Sequence, residues 1–215
     1  MSRTYPFLVG VTGGLGSGKS TVCRFLSELG CTLFEADKVA KELQLNDYEV
    51  IEGIKRLFGP EVYVIDNAGQ MLLDRKKIAA AVFSSSEKLE ALNKLIHPKV
   101  FREFKKAVDV AAINGTKLLV KEAAILFESG RSEELDVVVV VVADMEQRIA
   151  RAEEKGMGSR KEIMQRIDRQ WPQAKLIEKA DYLLVNKGSL KTLKQDTESL
   201  YYKLLAAASS ACDHL

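Results

Sequence analysis

Five short, nearly unbroken apolar runs recur along the chain, and helical patterns separate them. The runs cover residues 7–12, 31–34, 117–120, 137–142 and 182–185. Short unbroken runs are typical of strands covered on both faces, as in a parallel sheet with helices packed on either side. The first run is followed by a glycine-rich loop and then by apolar residues at helical spacing. The pattern therefore predicts an α/β core that opens with strand, loop and helix.

Two longer stretches interrupt this predicted core. Residues 38–115 are too many for one crossover helix and are mostly helical in pattern, which predicts an inserted helical subdomain. Residues 145–180 carry arginines on a helical pattern that is broken at Gly156 and Gly158, which predicts a mobile helical lid. The core itself would then comprise residues 1–37, 116–144 and 181–215.

Composition and charge narrow the classes of function. The chain has 215 residues, and its 32 basic and 30 acidic side chains give a net charge of +2, which provides no large basic field for nucleic acid. The longest apolar run, 135–143, is far shorter than the roughly 20 residues that span a bilayer. Residues 1–6 lack the features of a secretory signal, which indicates a cytoplasmic protein with no membrane partner. Nothing in the sequence indicates an oligomeric state.

The three cysteines do not indicate a disulfide framework or a zinc site. Cys23, Cys31 and Cys212 are odd in number and form no C-x-x-C pair. We expect them to be small buried or surface thiols.

A complete phosphate-binding motif, G-x-x-x-x-G-K-[ST], lies between the first predicted strand and the first predicted helix. Glycines in this motif let successive backbone N–H groups point onto phosphate oxygens, and the helix N-terminus adds the positive end of its dipole. Lys19 is expected to reach the β- and γ-phosphates, and Ser20 to supply a hydroxyl ligand to Mg²⁺. The motif predicts an ATP site formed by Gly13, Gly14, Leu15, Gly16, Ser17, Gly18, Lys19, Ser20 and Thr21.

Other classes of phosphate-loop protein are disfavoured by the rest of the sequence. Residues 186–189 begin like the N-K-x-D element of a GTPase but end in serine, so the carboxylate that reads guanine is absent. Residues 66–69 spell D-x-x-G, but they lie within the predicted insertion and are interpreted as a turn. No segment resembles the signature of an ABC-type ATPase, and the chain is small for a motor. Of the classes of phosphate-loop protein, the sequence therefore favours a kinase that acts on a small molecule.

Such a kinase needs a carboxylate beside the incoming hydroxyl group. Glu35 and Asp37 follow the second predicted strand, at the sheet edge where the phosphate loop opens. Asp37 is a candidate general base or hydroxyl-orienting group, and Glu35 a candidate metal or water partner; the alternative is that one of them caps a helix beginning near Lys38. Glu122 follows the third strand and is a candidate for the magnesium side or for substrate binding, with a solvated loop carboxylate as the alternative.

Cations for the phosphates and the acceptor are expected from the two interrupting stretches. Arg75 and His97 are the clearest candidates in residues 38–115 for holding a phosphate or a ribose, although a histidine before proline is also common in structural turns. One or two lid arginines are expected to clamp ATP, and the remainder to be solvated. The lid arginines are Arg148, Arg151, Arg160, Arg166 and Arg169.

Taken in order, these motifs resemble the dephospho-coenzyme A kinase family over almost the whole chain. The family opens with a strand and T-G-G-hydrophobic-G-S-G-K-S-T, which stands here at residues 12–21, followed by Leu29-Gly30. An aspartate-alanine-aspartate element follows, whose last member corresponds to Asp37. Further matches are the elements at 58–59, 73–75, 82–83, 92–98, 125–128, 166–170, 180–181 and 186.

The resemblance implies a reaction and some further residue roles. It implies transfer of the ATP γ-phosphoryl group to the ribose 3′-hydroxyl of dephospho-coenzyme A, the last step of coenzyme A synthesis, with Asp37 as base and Asn186 at the nucleotide. Four positions depart from the family pattern: Glu35 and Glu122 stand where aspartate is common, Ala124 stands where proline is usual, and Lys155 stands for a lid arginine. Lysine lacks the bidentate fork of arginine, so Arg148 and Arg151 become the favoured catalytic cations.

Two rival functions are considered. The first is another small-molecule kinase, which would act on a nucleoside, a nucleotide or a shikimate-like alcohol. The second is a nucleotide-binding regulatory module without turnover, which Asp37 together with Lys19 and Ser20 disfavours.

Overall fold

The computed structural model describes residues 5–128, 130 and 132–213, except for the side chains of 212 and 213. The described chain divides into two compact units, one formed by residues 36–106 and the other by the remaining residues. The sequence predicts an insertion over 38–115, so the unit ends nine residues before the predicted boundary.

Within the described residues, seven strands form two sheets. They are β1 Phe7–Thr12, β2 Thr32–Glu35, β3 Tyr63–Ile65, β4 Met71–Leu73, β5 Leu118–Glu122, β6 Val137–Val142 and β7 Tyr182–Val185. Five of them form a parallel sheet in the order β2-β5-β1-β6-β7, and β3 and β4 form an antiparallel hairpin. The five apolar runs of the sequence are confirmed as these parallel strands, with β2 and β5 beginning one residue later than predicted.

Nine α-helices are present in the described residues. They are α1 Lys19–Glu28, α2 Ala36–Asn46, α3 Tyr48–Phe58, α4 Arg75–Phe83, α5 Ser86–Ile113, α6 Met145–Glu154, α7 Arg160–Ile167, α8 Gln173–Ile177 and α9 Leu190–Asp213. None of these helices has the length and apolar character needed to cross a membrane.

One face of the five-stranded sheet packs against α1 and α9. Alternate residues of the central strands, among them Val9, Val11, Val139 and Val141, are completely buried in this layer. Because β1 lies between β5 and β6, the loops that follow these three strands open at the same edge of the sheet. The core therefore places the phosphate loop at the centre of that edge.

Two of the cysteines are confirmed as buried thiols. Cys23 and Cys31 are free and belong to the core that α1 forms with the sheet. Burial raises the pKa of the Cys31 thiol to about 11, which keeps this thiol protonated at neutral pH. The side chain of Cys212 lies outside the described residues.

The unit of residues 36–106 contains a hairpin that the apolar pattern does not reveal. Its turn is the D-x-x-G segment, in which the Asp66 carboxylate accepts hydrogen bonds from the N–H groups of Ala68 and Gln70. Gly69 has a φ of +76°, which favours glycine there. The interpretation of this segment as a turn is confirmed, and a guanine-nucleotide role has no support.

A buried lysine ties two helices of the same unit together. Lys99 follows Pro98 within α5 and is only 8% exposed. Its Nζ lies 2.7 and 2.8 Å from the two carboxylate oxygens of Asp47 and 2.6 Å from Glu49 Oε2. Asp47 also caps α3 by accepting from the N–H of Val50, and the hydrogen bond from Lys99 lowers the pKa of the Asp47 carboxyl. Lys99 therefore links α5 to the start of α3.

We expect Lys99→Met to lower the free energy of unfolding by about 1–3 kcal/mol, because the cap carboxylate loses its charged donor. Lys94→Met is the matched control, since Lys94 lies on the same helix and pairs with Glu90 at an exposed site. That control should change the free energy of unfolding by at most about 0.5 kcal/mol. Chemical denaturation of both variants checks the prediction, and equal effects would contradict it.

Candidate active site

The phosphate loop joins β1 to α1, as its motif predicts. Two of its glycines have backbone conformations that L side chains rarely adopt, with φ of +75° at Gly16 and +101° at Gly18. A Cβ on Gly16 would collide with the backbone of Arg148, and a Cβ on Gly18 would collide with the side-chain amide of Asn186. Both conformation and space therefore require glycine at these two positions.

Ser20 and Glu122 meet at the start of α1. The Ser20 hydroxyl donates a hydrogen bond to Glu122, with 2.5 Å between Oγ and Oε1. Glu122 ends β5 and pairs in register with Val11 of β1 and with Glu35 of β2, so the parallel sheet brings its carboxylate to the edge where the loop opens. Glu122 is 8% exposed, which contradicts the alternative of a solvated loop carboxylate.

The thiol of Cys23, one turn further along α1, lies next to this pair. Burial is the main cause that raises the pKa of the Cys23 thiol well above its usual value, and the neighbouring Glu122 carboxylate raises the pKa further. Cys23 is therefore a protonated thiol beside Glu122, and it is not an activated nucleophile.

Leu15 of the phosphate loop is held by two side chains from residues 145–170. Its N–H donates to Gln170 Oε1 at 2.7 Å, and its carbonyl oxygen accepts from Arg148 Nε at 2.9 Å. Arg148 is 5% exposed, and burial lowers the pKa of its guanidinium group. The sequence predicted Arg148 as a lid arginine that clamps phosphate, whereas the structure commits its Nε to the backbone of the loop.

Asn186 and Arg151 lie together beside the loop. Asn186 follows β7, is 6% exposed, and donates through Nδ2 to the carbonyl oxygen of Ser17 at 2.8 Å. Arg151 Nη2 lies 3.4 Å from both the backbone oxygen and the Oδ1 of Asn186. Arg151 Nη1 is buried and makes no hydrogen bond to any of the described residues. An acceptor atom of a ligand could therefore use this group.

A cavity of about 420 Å³ opens between the phosphate loop, α6 and the segment after β7. This volume lies within the range typical of small-molecule sites. Three predicted loop residues, Gly13, Gly14 and Ser17, are buried beneath it. The predicted residues that line it are Leu15, Gly16, Gly18, Lys19, Ser20, Thr21, Arg151 and Asn186.

Three residues predicted for the acceptor lie in the unit of residues 36–106. Asp37 is an exposed residue in the first turn of α2, which starts at Ala36 rather than near Lys38. Asp37 is therefore inside the helix and is not its N-cap. Arg75 begins α4 and donates through Nη1 to Gln44 Oε1 at 3.2 Å, and His97 lies in α5.

Arg160 and Arg166, two other arginines of residues 145–180, make contacts at the surface. Arg160 Nη2 donates to the Glu146 carboxylate and lies 2.8 Å from Oε1 and 2.7 Å from Oε2. Arg166 Nη1 donates to the carbonyl oxygen of Met157 at 3.2 Å. Both contacts are exposed.

Comparison with known proteins places the chain among relatives of nearly the same length. The family model described as dephospho-CoA kinase matches residues 7–192. A dephospho-CoA kinase from Chlorobium luteolum is 54% identical over 213 residues, which are 99% of this chain and 97% of that protein.

Two solved structures agree in fold. The crystal structure of a Thermus thermophilus protein matches with a TM-score of 0.77 and 32% identity, over 93% of this chain and 98% of that one. A dephospho-CoA kinase from Campylobacter jejuni matches with a TM-score of 0.67 and 24% identity, over the same shares of the two chains. The full-length sequence match and the match to the family model show that this chain belongs to the dephospho-CoA kinase family.

Proposed function

We propose that this chain transfers the γ-phosphoryl group of ATP to the ribose 3′-hydroxyl of dephospho-coenzyme A, which yields coenzyme A and ADP. Membership of the dephospho-CoA kinase family supports the reaction and the acceptor. The observation that carries the proposal is the cavity lined by residues of the phosphate loop, one of which, Ser20, donates a hydrogen bond to the buried Glu122 carboxylate.

The triphosphate is proposed to lie along the phosphate loop and the start of α1. Backbone N–H groups and the positive end of the helix dipole favour phosphate oxygens there. Lys19 is proposed to hold the β- and γ-phosphates, where its charge offsets the charge that develops on the transferred group. Arg151 and Asn186 line the same cavity, and the buried Nη1 of Arg151 is proposed to donate to the nucleotide.

Ser20 and Glu122 are suited to magnesium. Mg²⁺ prefers hard oxygen ligands, and this pair offers a hydroxyl and a carboxylate within 2.5 Å of each other. While Ser20 donates its proton to Glu122, its lone pairs stay available for a cation, so Ser20 would hold the metal and Glu122 would orient Ser20. When bound, the metal would neutralise part of the negative charge of the triphosphate.

The acceptor is proposed to use the unit of residues 36–106, which overlaps most of the predicted insertion 38–115. Asp37 would orient or deprotonate the 3′-hydroxyl, and its exposure leaves the carboxylate accessible to a substrate. Arg75 and His97 are proposed to hold the rest of the acceptor. Residues 145–180 are proposed to act as the lid, with Arg151 on the nucleotide and Arg148 supporting the loop.

The decisive assay for the function is ADP release with Mg-ATP and a panel of acceptors. Dephospho-coenzyme A should stimulate ADP release, and coenzyme A should appear in equal amount. Adenosine, AMP and shikimate should not stimulate release. If one of these three is the better acceptor, the chain is a different small-molecule kinase, and if none is used, the regulatory module replaces the proposal.

We expect Asp37→Asn to lower kcat by about 10²–10⁴-fold, because the amide cannot accept the proton of the acceptor hydroxyl. The dissociation constant of ADP should stay within about twofold of the wild-type value, since the phosphate loop is unchanged. Glu42→Gln, an exposed change on the same helix, is the control and should leave kcat unaltered. Near-normal turnover by Asp37→Asn would reject Asp37 as the base.

Glu122→Gln should raise the Mg²⁺ concentration needed for half-maximal activity by about 10–100-fold, because Ser20 loses a charged partner that orients it toward the metal. Binding of ADP without Mg²⁺ should be unchanged or slightly tighter. Glu28→Gln, an exposed change near the end of α1, is the matched control. An unchanged Mg²⁺ requirement in Glu122→Gln would show that Glu122 does not serve the metal side.

A further inference from the structure

Leu15 is the point at which the phosphate loop is attached to residues 145–170. Its side chain belongs to an apolar cluster with four buried residues of α6 and α7. Its carbonyl oxygen and its N–H are both occupied by side chains of the same segment, through Arg148 Nε and Gln170 Oε1. Residues of one segment, 145–170, thus contact the side chain, the N–H and the carbonyl oxygen of this loop residue. The four cluster residues are Ile149, Ala152, Ile163 and Ile167.

Gln170 makes a second contact that ties the loop to the sheet. Its Nε2 donates to the carbonyl oxygen of Ala124 at 3.3 Å, while its Oε1 accepts from Leu15. Ala124 lies two residues beyond Glu122, the last residue of β5. One side-chain amide therefore spans the phosphate loop and the segment after β5. This bridge needs an acceptor toward Leu15 and a donor toward Ala124, and glutamine provides both.

The residues next to Gln170 hold it in a fixed position. The backbone N–H of Trp171 donates to Glu128 Oε1 at 3.1 Å. The Trp171 ring stacks on the Phe127 ring, with 6.0 Å between the ring centroids and an interplanar angle of 8°. The Nζ of Lys175 lies 3.5 Å from the centre of the same ring, which adds a cation–π contact. Gln170 is thus supported on the segment after β5 and can hold the loop against it.

We propose that Gln170 is a positioning residue for phosphoryl transfer, which acts by holding the peptide of Leu15 so that the following loop N–H groups point at the triphosphate. The proposal rests on the proposed kinase function. Preorganised donors stabilise developing charge without reorganising during the reaction, so an error in the path of the loop weakens several phosphate contacts together. Gln170 lies behind the loop backbone, and it acts on ATP only through Leu15.

A second glutamine of the same segment provides a matched control. Gln173 begins α8, and its Oε1 accepts from the N–H of Ala143 at 3.3 Å, just beyond β6. Both glutamines therefore hold a backbone N–H after a core strand, but only Gln170 holds the phosphate loop. Methionine has nearly the same length and no strong acceptor, so Gln170→Met and Gln173→Met each remove this hydrogen bond.

The experiment compares ADP binding by the wild type, Gln170→Met and Gln173→Met, using calorimetry without an acceptor. Gln170→Met should raise the dissociation constant of ADP by about 5–100-fold, the range expected when a buried N–H loses its partner. The inhibition constant of adenosine, which lacks phosphates, and the KM of dephospho-coenzyme A should change by less than twofold. Gln173→Met should show no such loss of ADP affinity, although both variants should have a lower Tm.

A second variant covers the case in which Gln170→Met does not fold. Gln170→Glu keeps an oxygen acceptor for Leu15, but it replaces the donor toward Ala124 with a carboxylate oxygen and adds a negative charge. Because the hydrogen bond to Leu15 is kept, its loss of ADP affinity should be smaller than that of Gln170→Met. Where only Gln170→Glu folds, ADP affinity within about fivefold of the wild type supports the proposal, and a larger loss contradicts it.

Two outcomes of the main comparison would overturn the proposal. One is an ADP affinity of Gln170→Met that equals that of Gln173→Met. The other is an equal loss of ADP and adenosine affinity, which would indicate general damage to the cavity. Failure of the wild type to use dephospho-coenzyme A would reject the proposed function separately, since ADP binding requires no acceptor.

Discussion

The phosphate loop can direct its backbone N–H groups inward only while Gly16 and Gly18 keep left-handed conformations under direct contact from neighbouring groups. Arg148 presses against one glycine and Asn186 against the other, and these neighbours come from α6 and from the end of β7. The shape of the loop is therefore set by residues more than 130 positions away in the chain. The five-stranded sheet matters to the site mainly because β1, β5, β6 and β7 end at the same edge and bring these groups together.

The contacts of Leu15 restrict how residues 145–180, the proposed lid, can move relative to the phosphate loop. Two glycines with positive φ, Gly156 and Gly158, separate α6 from α7, so the connection between these helices has conformational freedom. Yet both helices share one apolar cluster with Leu15, and the same residue is hydrogen-bonded to Arg148 and Gln170. A closing motion of the whole segment would have to carry the phosphate loop with it or break these contacts. Movement confined to the turn between the helices would break none of them.

Local motifs were predictable from the sequence, and contacts between distant segments were not. The loop, the parallel strands and the turn at Asp66 each depend on a few neighbouring residues whose chemistry is specific. The β3–β4 hairpin was missed because its strands have three residues each and are half exposed, so they form no apolar run. The roles of Arg148 and Gln170 were missed because a buried arginine and a bridging glutamine look like any polar residue on a helical pattern. The start of α2 was placed too late because β2 passes directly into it at Ala36.

Glu122 stands where the sequence resemblance implies an aspartate, and its side chain is longer by one methylene group. Its extra methylene group extends the carboxylate beyond the end of β5, and the 2.5 Å contact shows that it reaches the Ser20 hydroxyl directly. The neighbouring β2 also ends in glutamate, in register with Glu122, so two extended carboxylates stand at adjacent strand ends. Since Glu122 is buried, its charge is costly unless it is compensated. The Ser20 hydroxyl compensates part of that cost, and a divalent cation held by Ser20 would compensate more, so the carboxylate that orients Ser20 would also favour the binding of such a cation.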